Sequence, residues 1–394
     1  MNYSKLKSSN YFVFAFVTMF VSLILSCKSK EDPAPVPNLP PLAFNVTPSL
    51  STNGQDVILR WNKSKDPEGD VVTYAVVYKD TLVKNLSDTT YTIKNLPFET
   101  EIKGTVVAKD TKGNKTVSSF STQTGMDYVA IPDINFEKAL ILLKIDDIQD
   151  GKVLRSKLGT VTELNLSGSG KSMSDKIRSL VGVEAMTNLI KLVCNSNLIT
   201  TLDVSKNLAL KTLACSINSI TALDVSKNTA LTGLYCDFNL ITELDISKNL
   251  SLNDVNCSVN KISTLDVTKN IFLDGLLCAE NLLTTIDVSK NSTLKGLSCP
   301  GNKLVTLDIT QNKQLENLNC DSNKLTILDV SNNMNLNGLY CSLNNLTGLN
   351  VSKNSSLIFF ECTDNNIQTI CVNSLTQPKT TWQKDLSATY KVCP

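Results

Sequence analysis

Nine cysteines, Cys194, Cys215, Cys236, Cys257, Cys278, Cys299, Cys320, Cys341 and Cys362, follow one another at intervals of 21 residues with no insertion or deletion between them. A period of this length means that one short unit is stacked many times, because a single coil cannot enclose a core by itself. One unit reads Leu210-x-x-Leu213-x-Cys215-x-x-Asn218-x-Ile220-x-x-Leu223-Asp224-Val225-Ser226-Lys227-Asn228. Its Leu, Cys, Ile and Val side chains point inward and stack on those of the next coil about 4.8 Å away, the spacing of paired strands. Asn197, Asn218, Asn239, Asn260, Asn281, Asn302, Asn323, Asn344 and Asn365 fall where the backbone turns out of the strand. A short amide both donates and accepts, so it satisfies N–H and C=O groups that such a turn buries.

The first half of the unit resembles the leucine-rich-repeat template L-x-x-L-x-L-x-x-N-x-L, with cysteine in the third apolar place. The resemblance covers about half of the chain and implies a mainly β, right-handed solenoid with parallel β ladders over residues 164–370. The second half, Leu223-x-Val225-x-x-Asn228, repeats the strand-then-asparagine logic, so two ladders on opposite sides of each coil are expected. Upstream, Ile131-Pro132-Asp133-Ile134-Asn135-Phe136 leads into a capped amphipathic helix that begins Glu137-Lys138-Ala139-Leu140. This segment, residues 126–163, resembles the N-terminal cap of secreted bacterial leucine-rich proteins of the internalin-like kind. Asp146, Asp150 and Gly151 suggest a calcium loop, but Ile148 and Lys157 occupy two of its ligand places.

The repeat cysteines read as filler. In an in-register ladder their Cβ atoms stand about 4.8 Å apart and point the same way, whereas a disulfide needs about 3.5–4.5 Å and converging vectors. A single apolar column also lacks the four-ligand geometry of a zinc site. Reduced, buried thiols are therefore expected. Cys371 and Cys393 break the register and flank a non-repeating tail with Trp382 and Tyr390. Residues 371–394 are expected to cap the last coil, with these two cysteines disulfide-bonded outside the reducing cytosol.

Two lysines precede an apolar run at residues 11–25, which at 15 residues is shorter than a membrane-spanning helix of about 20. With the small residue that follows, this is the layout of a secretory leader over residues 1–26. Ile24-Leu25-Ser26-Cys27 resembles a bacterial lipobox, which implies lipidation of Cys27. Lys30-Glu31-Asp32 resembles the export tag of Gram-negative surface lipoproteins, which implies the outer membrane and exposure on the cell surface. Residues 27–41 are Pro-rich and are expected to form an extended spacer. Over residues 42–125, short alternating strands separated by turns predict a β-sandwich anchored by Trp61. The order of Trp61, the strand from Tyr74 to Tyr78, Leu96-Pro97 and the hairpin ending in Lys112-Gly113 resembles a fibronectin type III domain, although Ile102 stands at the usual tyrosine position. Asp66, Glu68 and Asp70 there read as a solvated turn rather than a cation loop.

The chain contains no histidine, which excludes Ser/His/Asp and Cys/His catalysis and histidine-containing metal sites. No nucleophile motif or phosphate-binding glycine loop appears either, so neither an enzyme nor a cofactor is expected. The net charge of +1, or −1 without the leader's Lys5 and Lys7, gives no basic signal for nucleic acid. Function must then lie on the outward columns of the repeat. In the second half of each coil the column is monotonous: Asp203, Asp224, Asp245, Asp266, Asp287, Asp308 and Asp329, then Asn350, with Lys206, Lys227, Lys248, Lys269 and Lys290 as a compensating rail. In the first half it varies: Val193, Ala214, Tyr235, Asn256, Leu277, Ser298, Asn319, Tyr340 and Glu361. Variation confined to one strand, with aromatic residues in it, is the pattern of a recognition surface. The expected molecule is a monomeric, surface-anchored adhesin that binds a protein or glycan through Tyr235, Asn256, Leu277, Asn319, Tyr340 and Glu361. The other reading is a structural or adhesive spacer with no specific ligand.

Overall fold

The structure is a computed structural model that describes residues 35–393. The leader, Cys27 and Lys30-Glu31-Asp32 lie outside the described residues. The chain divides after Thr124 into two compact units.

In the first unit, seven strands make two antiparallel sheets. β1 (Val46–Leu50), β2 (Val57–Trp61) and β5 (Thr90–Ile93) form one, in the order β1-β2-β5. The other runs β4-β3-β6-β7, from β3 (Thr73–Tyr78), β4 (Asp80–Leu86), β6 (Glu101–Lys109) and β7 (Lys115–Gln123). Alternate residues of both sheets bury a common core. Trp61 packs edge-on against Tyr74 with ring centroids 5.4 Å apart, and the Tyr74 hydroxyl accepts the Ser64 N–H at 2.8 Å. The Asp66 carboxylate accepts the N–H groups of Glu68 and Asp70, so it closes its own turn. The expected spacer is shorter than the sequence implied. Asn38 donates to Asp110 at 2.6 Å, Leu39 N–H to Glu68 at 3.2 Å, and Thr116 to the Pro41 carbonyl, so residues 38–41 belong to the folded unit.

The second unit opens with β8 (Tyr128–Ala130), which pairs antiparallel with β9 (Lys152–Leu154) around the helix α1 (Ile134–Leu142). Asp133 caps α1 by accepting from Asn135 N–H and Phe136 N–H, both at 2.9 Å. Its other oxygen accepts from Arg178 and Ser179, which ties the cap to the first coils. Phe136 and Leu140 are fully buried in the solenoid core. The acidic loop after α1 is organised by the buried Glu137, whose carboxylate accepts from Asp150 N–H and Gly151 N–H.

From there the sheet grows by one parallel strand per coil, from Glu163–Asn165 to Trp382–Gln383, eleven strands in all. From Lys191 to Phe359 the step is constant: Thr212 pairs with Gly233, Gly233 with Asp254 and Asp254 with Gly275, each 21 residues apart, whereas the first step is 28 and the last 22. One apolar column runs from Val129 to Ala388. All nine repeat cysteines are buried and free, and the thiols of Cys320 and Cys341 donate to the next coil's carbonyls, Tyr340 and Glu361, at 3.5 Å. Asn260 shows what the amides do. Its Nδ2 donates to Cys236, Cys257 and Ser258 carbonyls at 3.0, 3.0 and 3.2 Å, and its Oδ1 accepts from Ile241 N–H at 2.9 Å.

Among the described residues the expected second ladder exists only at the C-terminal end, where Gly348–Asn350, Thr369–Val372 and Thr389–Val392 pair. Along the earlier coils the extended residues such as Leu223-Asp224-Val225 are not paired as strands. Side chains bridge the coils there instead: Asn228 Nδ2 donates to the carbonyls of Val204 and Asn207 in the preceding coil at 2.9 and 3.0 Å. The Oδ1 of Asn228 and its equivalents has no protein partner, a deficit better tolerated on a carbonyl oxygen than on an N–H.

The last coil is closed by substitutes. Gln377, which lies outside the period, donates to the Val351 carbonyl at 2.8 Å in the manner of the missing asparagine. Asp385 accepts from Asp364 and Asn365 N–H groups that would otherwise face a further coil. Trp382 lies edge-on to Phe360 at 5.0 Å, and Cys371 is disulfide-bonded to Cys393. No helix of the described residues is long and apolar enough to cross a membrane.

Asn260→Leu leaves one N–H and three carbonyls without their partner and is expected to cost about 1–3 kcal/mol in urea unfolding. Burial pushes Cys194, Cys257 and Cys299 up to about 12 from an ordinary 9.0. Iodoacetamide at pH 8 should then label the repeat thiols only after denaturation. Above pH 9 the unfolded chain releases thiol protons that the folded chain retains, so the urea midpoint should fall as pH rises from about 9 towards 12.

Candidate binding face

The outward side of the ladder is built by strand alternation: in Gly233-Leu234-Tyr235 the leucine enters the core while its two neighbours face out. Two columns therefore line this face. The third strand position is the one whose variation stands out in the sequence, and the structure moves part of it inward. Ala214 is buried, Val193, Tyr235, Asn256, Ser298, Asn319, Tyr340 and Glu361 are half-buried, and only Leu277 is exposed. Neighbouring coils are so close that each outward side chain shields the next.

The first strand position is the part of the face that sequence reasoning missed, although the same alternation exposes it. It reads Thr212, Gly233, Asp254, Gly275, Gly296, Asn317 and Gly338 along the middle coils. The glycines shape the face. A Cβ on Gly233 would stand 3.1 Å from Tyr235 Cε2, and one on Gly338 would stand 3.4 Å from Tyr340 Cε2, so each ring lies over its own strand's glycine. Gly275 and Gly296 are register partners and leave an open depression of about 530 Å³. Asp254, Asp274, Lys295, Glu316 and Asn317 rim it.

Polar contacts fix the face in place. The Tyr235 hydroxyl donates to Asp254 at 2.6 Å, and this bond, with partial burial, pushes the phenol up to about 12. Lys295 pairs with Asp274 at 2.9 Å, which holds its ammonium above the usual lysine range. Asn256 and Asn319 accept from Ser258 and Asp321 N–H groups at 3.1 and 3.0 Å, so these amides serve the turn and leave their donors outward. Burial pushes the Asp321 carboxyl up, although it accepts from Ser342 N–H. At the edge of the face Phe238, Leu343 and Phe359 stand about half-exposed.

The other side of the coils is uniform. Each aspartate of the column accepts the backbone N–H two residues on, as Asp224 does from Ser226 at 2.8 Å, and this bond holds its carboxyl below the usual range. The lysine rail does not compensate by direct pairing. Among the described residues no ion pair within 4.0 Å joins it to the aspartates, and each lysine acts on its neighbouring carboxyl only through space, helping the turn's hydrogen bonds to hold it low. Also among the described residues, no three Asp, Glu or Cys side chains converge on a point suited to a metal ion. Asn350 holds Ser352 N–H at 3.0 Å in the same way, so the turn needs an oxygen rather than a charge. Asp266→Asn should accordingly leave the urea midpoint nearly unchanged, while Asp266→Ala should cost about 0.5–1.5 kcal/mol.

No protein-family model matches the sequence, and no curated protein sequence matches it. Solved structures do. The functional domain of InlJ from Listeria monocytogenes, whose structure includes a cysteine ladder, superposes with a TM-score of 0.59 at 34% identity, over 69% of this chain and 63% of that one. The chain thus spans less than two thirds of that domain. The internalin InlF of Listeria monocytogenes gives a TM-score of 0.45 at 17% identity, over 66% of this chain and 95% of that one. YopM from Yersinia enterocolitica gives 0.45 at 22% identity, over 59% and 48%. The second unit is therefore a β-solenoid that matches leucine-rich-repeat neighbours of the internalin type, down to the column of stacked cysteines.

Proposed function

We propose that this chain is a surface-anchored adhesin whose ladder face binds a protein or glycan partner. The observation that carries the reading is the contrast between the two sides of each coil. Asp, Ser or Thr, and Asn recur on one side coil after coil, while the ladder's outward columns change at nearly every step. Those columns carry two tyrosines whose rings lie close to glycines, and large rigid aromatic groups contribute most when a partner covers them. The likeness to an internalin-type domain supports a binding scaffold rather than an enzyme. Lipidation of Cys27 would hold the chain at the outer membrane, and the export tag Lys30-Glu31-Asp32 would turn it outward. Within the first unit, the sheet orders β1-β2-β5 and β4-β3-β6-β7 support a fibronectin type III-like sandwich that sets the solenoid off from the lipid.

The test is the double variant Tyr235→Ala/Tyr340→Ala, applied with the wild-type chain to arrays of matrix proteins and glycans. Binding to whichever spots the wild type retains should weaken about tenfold or more, with circular dichroism and melting temperature unchanged. Unchanged binding would refute the ladder face and favour a spacer acting through its constant side.

A further inference from the structure

The ladder face carries two features that the fold does not require, and both bear on what binds it. The first is charge. Between the coil of Tyr235 and that of Tyr340, the outward strand positions and their flanks hold the carboxylates of Asp237, Asp254, Asp274, Glu280, Glu316 and Asp321. The same positions hold one lysine, Lys295, and it is already paired with Asp274 at 2.9 Å. These strand positions and flanks are thus net negative, whereas the constant side interleaves aspartate with lysine. An excess of carboxylates on one face attracts a positively charged partner.

The second is strain. Two residues after each repeat cysteine the backbone must enter the left-handed region, as at Ile217, Phe238, Val259 and Leu343 with φ of 56, 52, 53 and 55°. Glycine is the residue suited to this position, and Gly301 occupies it in one coil with φ 65°. β-Branched side chains are rare there because they clash with their own backbone. Yet Ile217, Phe238 and Leu343 are each about half-exposed and Val259 partly so, so neither local conformation nor core burial explains them. Two residues further on, exposed Leu240 and Leu282 share a column with Lys261, Lys303 and Lys324, so basic groups bound the acidic positions on that side. Local strain that serves no packing purpose points to function.

We infer that the occupant of this face is a cationic, amphipathic polypeptide segment. Its Lys or Arg side chains face the carboxylates around the Gly275–Gly296 depression, and its apolar side chains rest on Tyr235, Tyr340 and the Phe238 ridge. Five coil steps of about 4.8 Å separate the tyrosines, about 24 Å in all, which about seven residues of extended chain would span. The inference rests on the ladder-face reading above and narrows it to one class of partner.

The test pans the full chain against a phage-displayed library of random peptides about 12 residues long, then measures the affinity of a synthesised winner. Enriched peptides should combine Arg or Lys with aromatic or aliphatic residues, and binding should weaken steeply with added salt. Glu280→Gln/Glu316→Gln should weaken it about tenfold, while Asp266→Asn/Asp287→Asn, an equal change of charge on the constant side, should not. Phe238→Gly should also weaken binding about tenfold with the melting temperature unchanged or raised. A lower melting temperature with unchanged affinity would make the ridge structural and overturn its part in docking. Neutral or acidic winners that still need Tyr235 and Tyr340 would overturn the inference and leave the ladder face standing. So would a library from which no peptide enriches, if a glycan array then shows tyrosine-dependent binding. Winners indifferent to every ladder-face substitution, or no ligand from either library, would overturn both.

Discussion

The structure depends on one constraint: every coil must present its neighbour with backbone groups at the same height and in the same order. A parallel strand three residues long cannot hold a register by itself. The step of 21 residues holds it, because the amide of Asn260 spans two coils and bonds backbone groups of both. Only an insertion that loops out between these partners is tolerated, as in the longer coil before Asn197, whose amide still bonds the Leu166 carbonyl and Ile177 N–H. The uniform spacing of the cysteines is thus the visible trace of a hydrogen-bonding requirement, and the sulfur itself contributes only a small, apolar, inert body.

The same constraint divides the labour between the two sides of the coil. Where backbones pair directly, outward side chains stand about 4.8 Å from their counterparts and shield one another. A surface that is half-buried before any partner arrives suits recognition, since its side chains are already ordered and little entropy remains to be lost. Tyr235, bonded to Asp254 and resting over Gly233, is such a group. Where side chains bridge the coils instead, each aspartate is absorbed by its own turn, and the repeated surface has little to distinguish one coil from the next.

Closure at the ends needs the opposite of repetition. The first coil is covered by α1, whose Asp133 bonds both its own helix and the chain beyond. The last is closed by Asp385, which accepts N–H groups of the preceding coil, by Gln377, which takes the place of another asparagine, and by Trp382, which lies in the eleventh strand edge-on to Phe360. These ends show how a column of identical units stops without leaving an exposed edge.

The sequence alone determined the repeat, the inward column, the role of the first asparagines and the side of the coil that varies, because each is a matter of periodicity along the chain. It also marked Tyr235 and Tyr340 by their place in that column. Periodicity misleads at the second ladder, since Leu223-Asp224-Val225 has a strand's alternation whether or not a neighbour lies within reach of its backbone. The glycine column, the bond from Tyr235 to Asp254 and the pairing of Lys295 with Asp274 were decided by tertiary structure. Each joins residues about 20 positions apart or depends on which way a ring folds, and such relations arise only once coils are stacked at a fixed spacing.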